Sequence, residues 1–252
     1  MKQRLDMALV ERGLAGSRTR AQALVMEGKV RVAGQVERKA SRAVDESAAI
    51  EVESPPRFVS RGGEKLEGAF AAFGPGSGAA VPFDVAGVAC LDVGSSTGGF
   101  TDCLLQHGAR RVMAVDVGTN QLAYKLRTDP RVWVRENFNA RHMTPADLPE
   151  TPGVAVTDVS FISLRLILPP IRDVLAPGGL AVALIKPQFE VGRGNAPGGL
   201  VRDEKLRLEA RDGIVGFARR ELGLELLGLA ESPIKGREMG NIEYLSYWRK
   251  PC

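Results

Sequence analysis

The chain has 252 residues, of which 44% are hydrophobic and 25% are charged, proportions typical of a globular protein with one or two domains. No apolar run approaches the ~18 to 20 residues that span a bilayer, which excludes a helical membrane protein. Three scattered cysteines and two histidines exclude a disulfide framework and a zinc or histidine-rich site, so no metal is expected. We expect a cytoplasmic protein, because the first residues, MKQRLDMALVERG, lack the apolar stretch of a secretory signal.

The charge is concentrated at one end of the chain. The whole sequence has a formal net charge of +4, whereas residues 1–42 alone carry +6 and the remainder −2. A small basic module on a near-neutral body is typical of proteins that bind a polyanion, since lysine and arginine release counterions when they contact phosphates. A merely solvated basic surface is an equally good interpretation of the charge alone.

The amino-terminal stretch predicts two short helices and a small sheet. Apolar residues at helical spacing indicate a first helix over residues 4–12. Ser17 has the position of an N-cap for a second helix, which Gly28 ends. Alternating residues in 30–32 and 49–52 predict two strands.

The segment RLDMALVERGLAGSRTRAQALVMEGKVRVAG resembles the small RNA-binding module first described in ribosomal protein S-four. The resemblance implies an RNA-binding domain over residues 1–53, followed by a linker over 54–63 where consecutive prolines interrupt regular structure. The cations expected to contact RNA are Arg4, Arg18, Arg20, Lys29, Arg31, Lys39 and Arg42.

Residues 64–252 alternate helical and apolar-strand patterns, which predicts an α/β domain with a mostly parallel sheet covered by helices on both faces. The last two strands are close enough along the chain to pair antiparallel, which gives a mixed sheet with an antiparallel edge strand. The predicted strands lie within residues 88–93, 112–117, 132–134, 154–158, 180–185, 224–229 and 242–248.

A glycine-rich segment, DVGSSTGGF, directly follows the first of these strands and opens a helix, so its backbone can approach a ligand closely. Its G-x-x-x-G-G spacing differs from the G-x-G-x-x-G of dinucleotide-binding folds, which disfavours a pyrophosphate ligand. An acid ahead of the loop suits a cationic ligand, and S-adenosylmethionine carries a sulfonium and an ammonium but no phosphate. The candidate cofactor residues here are Asp92, Gly94, Ser95, Ser96, Gly98, Gly99 and Phe100.

Two further polar residues follow the next strands in order. Asp116 stands where an acid accepts hydrogen bonds from a ribose diol in a doubly wound sheet, and Asn137 is placed to hydrogen-bond an adenine edge. Together with the glycine loop they make the sequence similar to class I (Rossmann-like) methyltransferases, which bind S-adenosylmethionine.

Four charged residues occupy unusual positions: Lys65 in SRGGEKL, Asp158 in TDVSF, Lys186 in IKPQFE and Glu243 in GNIEYL. In this order they match the Lys-Asp-Lys-Glu tetrad of FtsJ-like ribose 2'-O-methyltransferases. With the amino-terminal module, the sequence resembles the TlyA family, often labelled haemolysin-like, over nearly its whole length. The resemblance implies S-adenosylmethionine-dependent methylation of cytidine 2'-hydroxyls in ribosomal RNA, with ribosomal RNA or ribosomal subunits as partners.

A ribose hydroxyl is a poor nucleophile, so a base must take its proton as the oxygen attacks the methyl carbon. Lys186 is the candidate base, and it can act only as a neutral amine. A nearby Lys65 favours that neutral form through like-charge repulsion, whereas Asp158 and Glu243 oppose it. The sequence leaves open which effect prevails.

Three other functions compete with this interpretation. The first is an RNA-binding protein with a catalytically silent methyltransferase fold, against which the complete tetrad argues. The second, a membrane-lytic haemolysin, has no long apolar segment or strongly amphipathic basic helix to support it. The third, a pseudouridine synthase, has no use for the glycine loop. Cys103 and His107, one helical turn apart, indicate helix packing rather than a nucleophilic pair, and oligomeric state is not predicted.

Overall fold

The structure is a computed structural model that describes residues 2–53, 56–192, 194–236 and 240–252. The chain divides into two units, Met1–Pro56 and Arg57–Cys252. Of the predicted linker, residues 54 and 55 lie outside the described part, and Phe58 is buried in the second unit. The first helix of that unit begins at Gly62, so the unit starts several residues before position 64.

The first unit contains the two predicted helices and two small antiparallel sheets. Ser17 caps the second helix, its side-chain oxygen accepting a hydrogen bond from the backbone N–H of Arg20 at 3.2 Å. One sheet pairs β1 with β4, and the other places β2 between β3 and β5. The elements are β1 (Lys2–Arg4), α1 (Leu5–Glu11), α2 (Arg18–Met26), β2 (Val30–Val32), β3 (Gln35–Glu37), β4 (Ala43–Asp45) and β5 (Ile50–Val52).

The second unit is built on one seven-stranded sheet with helices in the connections. Its elements are α3 (Gly62–Phe73), β6 (Ala89–Val93), α4 (Gly99–Gln106), β7 (Arg111–Val115), α5 (Tyr124–Arg127), β8 (Val132–Arg135), β9 (Val154–Thr157), α6 (Leu168–Val174), β10 (Leu180–Ile185), α7 (Pro187–Glu190), α8 (Glu204–Arg220), β11 (Glu225–Glu231) and β12 (Tyr244–Arg249).

The strand order is β11-β12-β10-β9-β6-β7-β8, and the five strands from β10 to β8 are parallel. β12 lies between β10 and β11 and runs antiparallel to both, which confirms a mixed sheet at this edge. Ile185, the last residue of β10, is opposite Tyr244, the first residue of β12. The antiparallel direction therefore brings the residues before β12 to the edge where the parallel strands end.

Both faces of the sheet are covered by apolar residues. Successive residues of β6 alternate between two clusters, with Leu91 and Val93 in one and Cys90 in the other. This double burial explains why the strands appear in the sequence as continuous apolar runs rather than as alternating patterns. Among the described residues, none of the helices combines the length and apolar character that a membrane crossing requires.

Candidate active site

A cavity of about 910 Å³ opens at the carboxyl edge of the parallel strands. Such an edge is where open α/β sheets bind their ligands. The glycine loop after β6 and the segments after β9 and β10 contribute to its wall, together with the start of α3 and the residues before β12. Among its lining residues are Arg61, Lys65, Gly94, Ser95, Ser96, Gly99, Phe100, Asp158, Ser160, Phe161, Lys186, Phe189, Asn241 and Glu243.

The four tetrad residues meet at this cavity although they are far apart in the sequence. Lys65 Nζ lies 2.7 Å from Glu243 Oε2 and 3.6 Å from Asp158 Oδ2. Asp158 Oδ1 lies 2.6 Å from Lys186 Nζ. The four charges therefore alternate in sign along one row, and each cation is next to a carboxylate.

The local fold accounts for this row. Asp158 and Lys186 are the first residues after two neighbouring parallel strands, β9 and β10. Glu243 immediately precedes β12, which is antiparallel to β10, and so reaches the same edge. Lys65 comes from the first turn of α3. Both lysines and Glu243 are buried, and Asp158 is only partly exposed.

The glycine loop needs glycine for its backbone path and for its packing. Gly98 has φ +99°, and a Cβ there would lie 2.3 Å from Leu126 Cδ1. A Cβ on Gly99 would lie 2.4 Å from Ser60 Oγ and 2.7 Å from the backbone nitrogen of Gly63. The second glycine therefore lets the start of α4 approach the start of α3, which carries Lys65.

Asp92, at the end of β6, is fully buried and does not line the cavity. Its Oδ2 accepts a hydrogen bond from Thr101 Oγ1 at 2.6 Å, and Oδ1 has no hydrogen-bond partner among the described residues. Burial raises the pKa of the Asp92 carboxyl to about 7, and the negative charges of Asp158 and Asp116 act in the same direction. The carboxylate stands behind the glycine loop rather than in contact with the cavity.

Asp116 organises the loop through backbone hydrogen bonds. Its Oδ2 accepts from the Ser96 N–H and its Oδ1 from the Gly118 N–H, both at 2.7 Å. Ser96 has φ +47°, and the bond to Asp116 helps to hold this conformation. Asn137 is exposed, with φ +53°, and its backbone N–H donates to the Gly118 carbonyl. Asp116 and Asn137 therefore share the Gly118 turn without lining the cavity.

Sequence reasoning did not assign roles to Ser160, Phe161 and Phe189, which line the cavity beside the tetrad. Lys186 Nζ donates a hydrogen bond to Ser160 Oγ at 2.8 Å. Phe161 is 82% exposed with φ +64°, an unusual conformation for an aromatic residue, and its ring centroid lies 5.3 Å from that of Phe189. The motifs TDVSF and IKPQFE contained these residues, but only the fold shows that they lie together.

The predicted RNA-contacting cations of the first unit are exposed or half-buried, and they differ in their partners. Arg4 and Arg18 both pair with Asp6, a buried carboxylate whose pKa is held well below its usual range chiefly by the Arg4 hydrogen bond. Lys29 pairs with Glu27, Arg42 with Glu37, and Arg31 donates to the Gly34 carbonyl. Arg20 and Lys39 have no side-chain ion pair in the described part of the chain.

The helix after the glycine loop packs as predicted at Cys103 and His107. The His107 ring stacks on Phe70 with centroids 3.6 Å apart, and its Nε2 lies 2.8 Å from Glu67 Oε2. Cys103 is fully buried, and burial raises the pKa of its thiol well above the usual range. A thiol that stays protonated is not a nucleophile, so this cluster serves helix packing.

Comparison with known proteins confirms the relationship that these motifs indicate. The family model described as FtsJ-like methyltransferase matches residues 58–250, and the S4 domain model matches residues 3–50. The chain belongs to the FtsJ-like methyltransferase family. Within it, this FtsJ-like methyltransferase carries the S4 domain at its amino terminus.

The individual relatives extend over nearly the whole chain. The protein named 16S/23S rRNA (cytidine-2'-O)-methyltransferase TlyA, from Mycobacterium tuberculosis, is 45% identical over 98% of this chain and 89% of its own length. YqxC of Bacillus subtilis, provisionally named an rRNA methyltransferase, is 47% identical over 99% of this chain and 86% of its own. A solved structure from Streptococcus thermophilus with a provisional hemolysin name superposes with a TM-score of 0.74, at 42% identity, and covers 99% of this chain and 89% of that one. The resemblance to TlyA is thereby confirmed.

Proposed function

We propose that this FtsJ-like methyltransferase transfers a methyl group from S-adenosylmethionine to the 2'-hydroxyl of a cytidine in ribosomal RNA. The observation that carries the proposal is that the Lys186–Asp158 pair lies in the same cavity as the glycine loop. A methyl donor held by the loop and a hydroxyl held by the tetrad would therefore lie in one cavity. The name of the mycobacterial relative supports ribosomal RNA and cytidine as the acceptor.

The residues on the donor side fit S-adenosylmethionine. Asp116 accepts a hydrogen bond from the Ser96 N–H in the cavity wall, and the buried Asp92 stands behind the same loop, so acidic groups flank the side where a cationic ligand would bind. Gly94, Ser95, Ser96, Gly99 and Phe100 line the wall and would hold the cofactor, with Asp116 and Asn137 flanking the loop. When bound, the cofactor supplies an electrophilic methyl group on its sulfonium.

On the acceptor side we assign Lys186 the role of general base. Lys186 lines the cavity, and as a neutral amine it would take the proton of the 2'-hydroxyl while the hydroxyl oxygen attacks the methyl carbon and the carbon–sulfur bond of the donor breaks, leaving a neutral thioether. Asp158 holds Lys186 in place and stabilises the ammonium that forms. The Lys65 ammonium lies near both Glu243 and Asp158 and so helps to hold the Asp158 carboxylate next to Lys186.

The S4 domain supplies the RNA affinity in this proposal. Its model matches residues 3–50, the most basic part of the chain. Cations on a small exposed unit contact phosphates and give binding that weakens with salt, whereas the methyltransferase unit supplies the reaction.

The deciding experiment incubates purified protein and labelled S-adenosylmethionine with each ribosomal subunit from cells that lack this protein. We expect label in ribosomal RNA. We also expect the bond 3' of one cytidine to become resistant to alkaline cleavage, because a 2'-O-methyl group removes the attacking hydroxyl. A methyl group on a base would overturn the ribose assignment. RNA binding without methyl transfer would identify a catalytically silent fold.

A further inference from the structure

Ser160 is the side chain with which the proposed base makes a hydrogen bond. Lys186 Nζ donates a hydrogen bond to Ser160 Oγ at 2.8 Å, and the same nitrogen lies 2.6 Å from Asp158 Oδ1. Ser160 is exposed and lines the cavity, whereas Lys186 is buried. Ser160 and Lys186 therefore both belong to the cavity wall, with the hydroxyl beside the lysine nitrogen.

The geometry of a neutral amine makes this contact important. The nitrogen of a neutral lysine is tetrahedral: it is bonded to Cε and to two hydrogens, and its fourth position is a lone pair. Ser160 Oγ accepts a hydrogen bond from one N–H, and the Asp158 carboxylate, whose Oδ1 forms an ion pair with Nζ at 2.6 Å without hydrogen-bond geometry, attracts the other. While Ser160 Oγ accepts from the amine, the lone pair points in the one direction that remains.

With only the Asp158 carboxylate beside it, the amine can rotate about Cε–Nζ and still direct one N–H toward the carboxylate. Its lone pair would then face the acceptor hydroxyl only part of the time. A serine is also better suited here than a second carboxylate. Because its hydroxyl is neutral, it accepts a hydrogen bond with much less stabilisation of the charged ammonium than an anion would give.

We infer that Ser160 is a positioning residue that aims the lone pair of Lys186 at the ribose hydroxyl. This inference rests on the proposed function of Lys186 as the base. Ser160 acts through Lys186 and is not required to touch the cofactor or the RNA.

The test compares single-turnover methyl transfer by wild type, Ser160→Ala and Ser160→Thr. The substrate is the unmethylated form of the ribosomal subunit that wild type methylates. We expect Ser160→Ala to lower the rate constant at saturating RNA about tenfold, the order of effect of one well-placed hydrogen bond, with KM for RNA and affinity for S-adenosylmethionine unchanged. Ser160→Thr keeps a hydroxyl and should restore most of the rate.

Ser163→Ala is the matched control in the same loop. Ser163 Oγ donates to Glu190 Oε2 at 2.5 Å, and the Leu164 N–H donates to Glu190 Oε1 at 2.8 Å. The Leu164 hydrogen bond, which joins this loop to α7, survives the substitution. We expect this variant to stay within about twofold of wild type, since Lys186 keeps its partner.

A double variant separates the positioning role from direct substrate contact. In a Lys186→Ala background there is no lone pair to aim, so adding Ser160→Ala should cost nothing further. An undiminished tenfold loss in that background, or full activity of Ser160→Ala alone, would overturn the inference. If wild type forms no 2'-O-methylcytidine, the proposed function itself fails; if wild type forms it and Ser160→Ala is as fast, only the role of Ser160 fails.

Discussion

Lys65 and Glu243 form a buried ion pair, with Nζ and Oε2 2.7 Å apart and side chains that are 10% and 2% exposed. The pair joins α3, the first helix of the methyltransferase unit, to the residue that immediately precedes β12. Asp158, at 3.6 Å, is the other carboxylate near Lys65. The row of tetrad residues thus holds the fold together at the edge where its chemistry is proposed to occur.

Glu243→Ala should therefore destabilise the protein as well as inactivate it. Removing one partner leaves a buried charge poorly compensated, which costs roughly 3 kcal/mol of unfolding free energy. Urea unfolding monitored by fluorescence measures this loss. The matched control is Glu225→Ala, which removes the half-exposed partner of Arg249 and should change stability by less than ~1 kcal/mol. Equal effects of the two substitutions would contradict a structural role for the buried pair.

Lys186→Ala should lower the methyl-transfer step by roughly 100- to 10000-fold, the range for a positioned general base, while S-adenosylmethionine and RNA still bind. Lys186→Arg should not restore the rate, because a guanidinium stays protonated and cannot accept the proton.

Lys205→Ala removes an exposed lysine of α8 and controls for the loss of one positive charge. A fully active Lys186→Arg would contradict the base assignment and leave Lys186 with an electrostatic role.

The sequence predicted most of the sheet because its strands are buried on both faces and stand out as apolar runs. It missed β3, which forms a hairpin with β2, and it missed β1 and β4, three-residue strands whose pairing joins residues about forty positions apart. Such strands exist because of the contacts that tertiary structure provides, and no local pattern of the chain marks them.

The candidate site was likewise predicted only in part from the sequence. Asp158 and Lys186 follow predicted strands, so their meeting at one sheet edge could be inferred from parallel topology. The residue after Ser160, the hydrogen-bond partner of Lys186, is Phe161, whose positive φ is rarely adopted by phenylalanine, so the sequence does not predict the path of this segment.

Asp116→Ala should weaken S-adenosylmethionine binding by roughly 1 to 3 kcal/mol, measured by calorimetry. The substitution removes the acceptor of the Ser96 and Gly118 N–H groups and so loosens the glycine loop in the cavity wall. It also removes any hydrogen bond from Asp116 to the cofactor. Asp129→Ala, which removes a carboxylate that pairs with Arg131, is the control. Unchanged affinity in the Asp116 variant would remove this residue from the cofactor site.

Asp92 should make stability depend on pH between about 4 and 7. Its folded pKa of about 7 lies above the ordinary value of 3.8, so the folded state binds more protons than the unfolded state in this interval. The free energy of unfolding should therefore fall as pH rises from 4 to 7, by at most ~1.4 kcal/mol per pH unit from this group, and level off above 7.

Asp92→Asn should flatten this part of the profile, as measured by urea unfolding at a series of pH values. Asp212→Asn, at a mostly exposed position on α8, should leave the profile unchanged. Parallel profiles for wild type and Asp92→Asn would show that the carboxyl is already ionised at pH 4.

The cations of the S4 domain should differ in what their removal does. Arg20 and Lys39 have no side-chain ion pair in the described residues, so they are free to meet phosphates. The double substitution of both by alanine should weaken RNA binding and make the plot of log affinity against log salt shallower by about 1 to 2, because two fewer counterions are released. Fluorescence anisotropy with a ribosomal RNA fragment across a salt series measures this slope, and thermal stability should not change. An unchanged salt slope in the Arg20 and Lys39 variant would show that these two side chains do not contact phosphates.

Arg4→Ala with Arg18→Ala should lower both affinity and stability, since these two cations also compensate the buried Asp6.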